Sequence, residues 1–172
     1  MFGWRRRILG KFAGPSEPTQ PPDLGELLEA ALGAAARFGP RCDYVTDVFY
    51  AVASYDADKP VSRIVSAVLP DAVVQRTFAQ SVDEALAEIR AAVLYTGQGT
   101  ESDAATDPAW LAAWAMFEQR FHHLTDRASC FAGFSLRSGH PYYPVFWDFA
   151  YVIRDEDAET GSAHVLLASS SD

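Results

Sequence analysis

Three groups of residues in this sequence have the types and spacing to do chemistry. Glu118, His122 and Asp126 follow at i, i+4 and i+8, which on a helix makes one stripe of carboxylate, imidazole and carboxylate. Such a set could ligate Zn²⁺ or Fe²⁺, or exchange protons. It is not an H-E-x-x-H pair, and the polar side of any amphipathic helix shows the same spacing. A solvated helix face is therefore the first expectation, with no metal and no cofactor.

The second is Asp148, inside the run V-F-W-D-F-A-Y-V-I from Val145 to Ile153. Alternation along a strand puts Trp147, Phe149, Tyr151 and Ile153 on one face and Phe146, Asp148, Ala150 and Val152 on the other. A carboxylate on an apolar face is costly unless it is paired or open to water. Buried, it would become a candidate general acid.

The third is the loop G-H-P-Y-Y-P, Gly139 to Pro144, just ahead of that strand. Two prolines stiffen it and hold His140, Tyr142 and Tyr143 beside Trp147. Tyr and Trp bring large contact area at small entropy loss, so Tyr142, Tyr143 and Trp147 are candidate binding residues. Beyond the strand, Asp155, Glu156, Asp157 and Glu159 make an acidic loop that would attract a basic partner.

Charge narrows the partner further. The 172 residues carry a formal net charge of −9. Residues 1–12 hold Arg5, Arg6, Arg7 and Lys11 and no acid, so subtracting these four positive charges leaves −13 on residues 13–172. A body this acidic argues against direct nucleic-acid binding, which needs clustered Lys and Arg. No apolar run approaches the ~18 residues of a membrane span. Residues 2–12 could touch an anionic membrane surface through Trp4, Ile8 and Phe12, although three side chains anchor poorly. Ile8-Leu9 is too short for a signal-peptide core. Cys42 and Cys130 lie outside any C-x-x-C motif and read as buried thiols; Cys130, near Arg127, His122 and His123, is the better nucleophile of the two. A cytoplasmic protein is expected, and the Ala-rich, Lys-poor composition (only Lys11 and Lys59) suggests a bacterial one.

The elements that must position these residues follow from pattern. Four prolines between Gly14 and Pro22 predict an extended linker, so residues 1–22 form a basic segment and linker and residues 23–172 a single domain. Asp23 can cap a helix carrying Leu24, Leu27, Leu28, Ala31 and Leu32. Val45, Val48, Phe49, Val52 and Tyr55 match a helical stripe, although their β-branched and aromatic types would equally suit a strand. The helical reading is preferred there. Further helices are expected over Val61–Val68, over Asp71–Gln80, and after the capping box Ser81-Val82-Asp83-Glu84. Asp107-Pro108 opens the clearest helix, with Trp110, Trp114, Phe117, Phe121 and Leu124 on one face. Strands are expected at 131–136, 145–153 and 163–168, the last two as a hairpin. The class is α+β, a helix-rich first two-thirds packed against a C-terminal antiparallel sheet.

Phosphate-binding loops, nucleophile elbows, EF-hand loops and zinc-finger spacings are missing from the sequence. The preferred functional expectation is a non-enzymatic interaction domain, such as an inhibitor or immunity-type protein that binds a basic partner. The alternative is a small metal-dependent or acid–base enzyme. It would have a pocket between the 108–125 helix and the sheet, using His122, Asp126, His140 and Asp148.

Overall fold

The computed structural model describes residues 21–38, 45–55, 59–95, 103–142, 144, 146–155 and 161–171. Helix α1 (Leu24–Ala35) starts at a capping box. The Asp23 carboxylate accepts from the Glu26 N–H at 2.8 Å, and the Glu26 carboxylate accepts from the Asp23 N–H at 3.0 Å. Helix α3 (Val82–Val93) repeats the device with Ser81 and Glu84, whose hydrogen bonds hold the Glu84 carboxyl below its usual range. In α4 (Pro108–Thr125), Asp107 accepts from the N–H groups of Ala109 and Trp110, both at 3.0 Å, with Pro in the first turn. The short α2 (Val61–Val68) runs up to Leu69 and Pro70.

Among the described residues five strands form one antiparallel sheet in the order β1-β5-β4-β3-β2. Three were expected: β3 (Ala128–Ser138), β4 (Trp147–Asp155) and β5 (Gly161–Ser171). The other two correct the sequence reading. Residues 45–55, read as a helix, form β1 (Val45–Tyr55), and the segment 71–80, also read as a helix, contains β2 (Val73–Phe78). The α+β class stands, with helices mostly ahead of the last three strands.

Both faces of the sheet are covered, which explains the misreading of β1. Val48 and Tyr50 face α1, α3 and α4, whereas Phe49 and Ala53 face α2. An apolar residue is therefore wanted on both sides, and the polar alternation that marks a strand is lost. β2 misleads for the opposite reason: five of its six residues are exposed, so burial imposes no pattern on them.

The larger core lies between the sheet and α1, α3 and α4. Its spine is a chain of rings: Trp110, Trp114, Phe117 and Phe121 along α4, then Phe131 and Tyr151 on the sheet, then Phe149 and Trp147. The smaller core, under α2, is built from Ile64, Val65, Phe134, Val152, Val165 and Leu167. No helix among the described residues is long and apolar enough to cross a membrane.

Candidate functional site

The three groups of candidate residues do not assemble into one site. His122 and Asp126 lie on the flank of α4 that points away from Phe117, Phe121 and Leu124, with His122 half-buried and Asp126 exposed. Glu118, half-buried, shares that helix. Asp148 is exposed and lies on the α2 side of the sheet, in phase with Ala150 and Val152. His140 sits in the β3–β4 connection, which packs on that same side through Tyr142. The sheet thus separates His122 and Asp126 from His140 and Asp148. Among the described residues no three His, Cys, Asp or Glu side chains come together as a metal site. Cys130 is a free, half-buried thiol in β3. Cys42 lies outside the described residues.

The proposed binding residues also divide. Trp147 stacks on Phe149 (ring centroids 5.8 Å apart, planes 6° from parallel) and packs against the larger core. Asp155, at the far end of β4, is eight residues from Trp147, about 26 Å of strand. It lies 4.0 Å from Arg127. Tyr143, Glu156, Asp157 and Glu159 lie outside the described residues.

Tyr142 is different. His140 fixes its backbone: the Tyr142 N–H donates to His140 Nδ1 at 3.1 Å, and the Tyr142 carbonyl lies 2.7 Å from the same nitrogen. The Tyr142 hydroxyl donates to the Val48 carbonyl at 3.1 Å and so ties the connection to β1. Phe146 completes the attachment by donating its N–H to the Ser170 carbonyl.

Between Tyr142 and α1 runs a groove of about 440 Å³, lined by Glu29, Leu32 and Gly33 of α1 and its C-cap Ala36, by Thr46, Asp47 and Val48 of β1, and by Tyr142. Consecutive β1 residues point to opposite faces, so a groove touching all three follows the strand's edge. β1 ends the sheet, and no described strand pairs with its outer side. The groove is therefore an edge strand flanked by a helix and a tyrosine. Its charge is negative. Burial is the main cause of the raised Tyr142 pKa, and Asp47 and Glu29 add to it. At Gly33 an added Cβ would meet nothing within 4 Å, so the groove is open there. Of these residues the sequence pointed only to Tyr142. The rest escaped notice because 45–55 was read as a helix, which has no edge to offer.

A second feature escaped as well. His164 on β5 is buried at 8% exposure, and its Nδ1 lies 2.7 Å from the Tyr50 hydroxyl. The rings stack at 6.0 Å. A neutral imidazole can take either role in this bond, accepting from the Tyr50 hydroxyl or donating to its oxygen according to its tautomer. Burial is the main cause of the lowered His164 pKa; Asp155 opposes it, and Arg120 of α4 adds a smaller lowering. Burial also raises Tyr50 to about 12, with Asp23 adding to the rise and Arg120 opposing it. The sign follows from linkage. Because the folded-state pKa lies below the unfolded value, the unfolded chain binds the extra proton first. Stability is full above pH ~6.5 and falls as pH drops through the window below it. Urea denaturation of wild type is expected to show this acid limb. His164→Gln, whose amide can either donate to or accept from Tyr50, should flatten it; an unchanged limb in that variant would refute the assignment.

No protein-family model matches the chain, and neither a curated protein nor a solved structure matches it.

Proposed function

We propose that this protein is an interaction domain that holds a basic, extended segment of a partner protein in the groove along β1. The observation that carries this reading is the groove itself, a strand edge that no described strand pairs with, between Glu29 of α1 on one side and Asp47 and Tyr142 on the other. An extended peptide can add its backbone to a free sheet edge while its side chains enter flanking pockets. Two carboxylates favour Lys or Arg there, and Tyr142 with Leu32 and Ala36 offers apolar surface for their stems. The acidic body would speed the encounter with a basic surface. An inhibitor or immunity-type protein suits that chemistry.

A labelled peptide alternating Arg or Lys with small residues, titrated by fluorescence anisotropy at low salt, tests the proposal. Saturable binding is expected, weakening as salt rises. A peptide with Glu in place of the basic residues should not bind. Gly33→Trp places a bulky ring in the groove without displacing any neighbour within 4 Å of the new Cβ. It should cut affinity at least tenfold with an unchanged melting temperature. No binding by wild type, or equal binding by the Gly33→Trp protein, rules the proposal out.

A further inference from the structure

The register of the sheet brings together three oxygen-bearing side chains that no local motif would reveal. Asp47 on β1 is directly opposite Ser169 on β5, and Ser169 is directly opposite Asp148 on β4. Directly opposed residues project from the same face, so Asp47, Ser169 and Asp148 form a row across three strands. That face is the α2 side, shared with Phe49, Leu167 and Ala150. The row lies at the opposite end of these strands from Ala53, Ala163 and Val152, in the part of the sheet where Tyr142 is tied to β1.

The middle member is anomalous. Ser169 is 1% exposed, and its hydroxyl oxygen is buried with no hydrogen-bond partner among the described residues. A buried hydroxyl left without a partner costs stability, and such groups are rare in folded proteins. This one is flanked on both sides by a carboxylate. Two strand spacings separate the Asp Cβ atoms, about 9.6 Å. In this structure neither carboxylate hydrogen-bonds the Ser169 hydroxyl; turned toward it, the two would leave about 5 Å between their nearest oxygens, twice the Ca²⁺–oxygen distance of ~2.4 Å. The same gap is wide for Mg²⁺, which prefers ~2.1 Å and a regular octahedron.

We propose that Asp47, Ser169 and Asp148 form a site for a divalent cation of the Ca²⁺ class, with the two carboxylates and the hydroxyl as protein ligands and water completing the shell. All three ligands are hard oxygens, as such an ion requires. The site does not depend on what the groove holds. Because Asp47 also lines the groove, an ion here would neutralise one of the groove's two carboxylates and weaken its hold on a basic segment.

Calorimetric titration of the full chain with Ca²⁺ alone tests the site. One equivalent is expected to bind in the range of about 10⁻⁴–10⁻³ M, as suits so few protein ligands. Asp148→Asn, outside the groove, should weaken binding at least tenfold, whereas Glu29→Gln, in the groove but not in the row, should leave it unchanged. Ser169→Ala separates a ligand from a mere packing defect. It should raise the melting temperature without Ca²⁺, because the unpartnered hydroxyl is gone, and weaken Ca²⁺ binding several-fold. No heat up to about 10 mM Ca²⁺ overturns the proposal. So does binding that survives Asp148→Asn, which would place the ion elsewhere on the acidic surface. If the wild-type protein takes no Ca²⁺ and arginine amide gives a heat that Asp148→Asn abolishes, the row is an arginine anchor and the metal assignment is wrong.

Discussion

Gly139→Ala should cost this protein about 3 kcal/mol and displace the tyrosine that borders the groove. Gly139 has φ +75°, where a side chain is strained. The space is also closed: an added Cβ would sit 1.9 Å from the Asp71 carbonyl oxygen and 2.6 Å from the Ala72 Cα. Both contacts are backbone, in the turn between α2 and β2, so no side chain can swing aside. Either that turn or the β3–β4 connection must move. The connection begins at Gly139 against one edge of the sheet, turns at His140, and reaches the other edge where Tyr142 meets Val48. Its displacement should lower the urea midpoint and weaken binding of the basic peptide together. A Gly139→Ala protein within 0.5 kcal/mol of wild type would mean that the connection is not held as described.

Phe121→Ala is expected to lower stability by about 3–5 kcal/mol, and the melting temperature by about 10 °C. Phe121 is fully buried and touches rings on both sides of the larger core: Phe117 at 5.7 Å, Phe131 edge-on at 5.7 Å and Tyr151 edge-on at 6.3 Å. It is the point where the aromatic series of α4 meets that of the sheet. Removing the ring opens a cavity between two layers that cannot both collapse onto it. Phe121→Leu, which keeps most of the volume, should lose less than half as much. Equal losses for the two variants would show that volume does not set the cost. Thermal denaturation of the three proteins decides the matter.

Much of the fold is legible in the residues. The caps at Asp23, Ser81 and Asp107 and the aromatic stripe of α4 are local patterns, and local patterns need no partner to be read. The hairpin of β4 and β5 is equally plain, because Val145–Ile153 is too β-branched and aromatic to mistake. β1 is not legible, since a strand with apolar neighbours on both faces shows no polar alternation, and V-x-x-V-F-x-x-V then imitates a helical stripe. The misread strand hid the groove too. Its lining comes from residues 29–36, 46–48 and 142, brought together only when β1 is laid beside β5. Tyr142 is legible because its chemistry is conspicuous in its own loop. Asp47 and Ser169 are ordinary residues made unusual by register.

The pairing of β1 with β5 also sets an order of events during folding. Among the described strands β1 pairs with β5 alone, and Tyr50 reaches His164 across 114 residues of chain. Until the last strand is in place, eleven largely apolar residues lack both neighbours that a strand can have. Pairings between distant segments form slowly because the intervening loop must first be closed, and an unpaired strand is a template for other chains meanwhile. Asp47 is the only charged residue in that strand. A carboxylate there would discourage the newly made chain from associating edge to edge before β5 arrives.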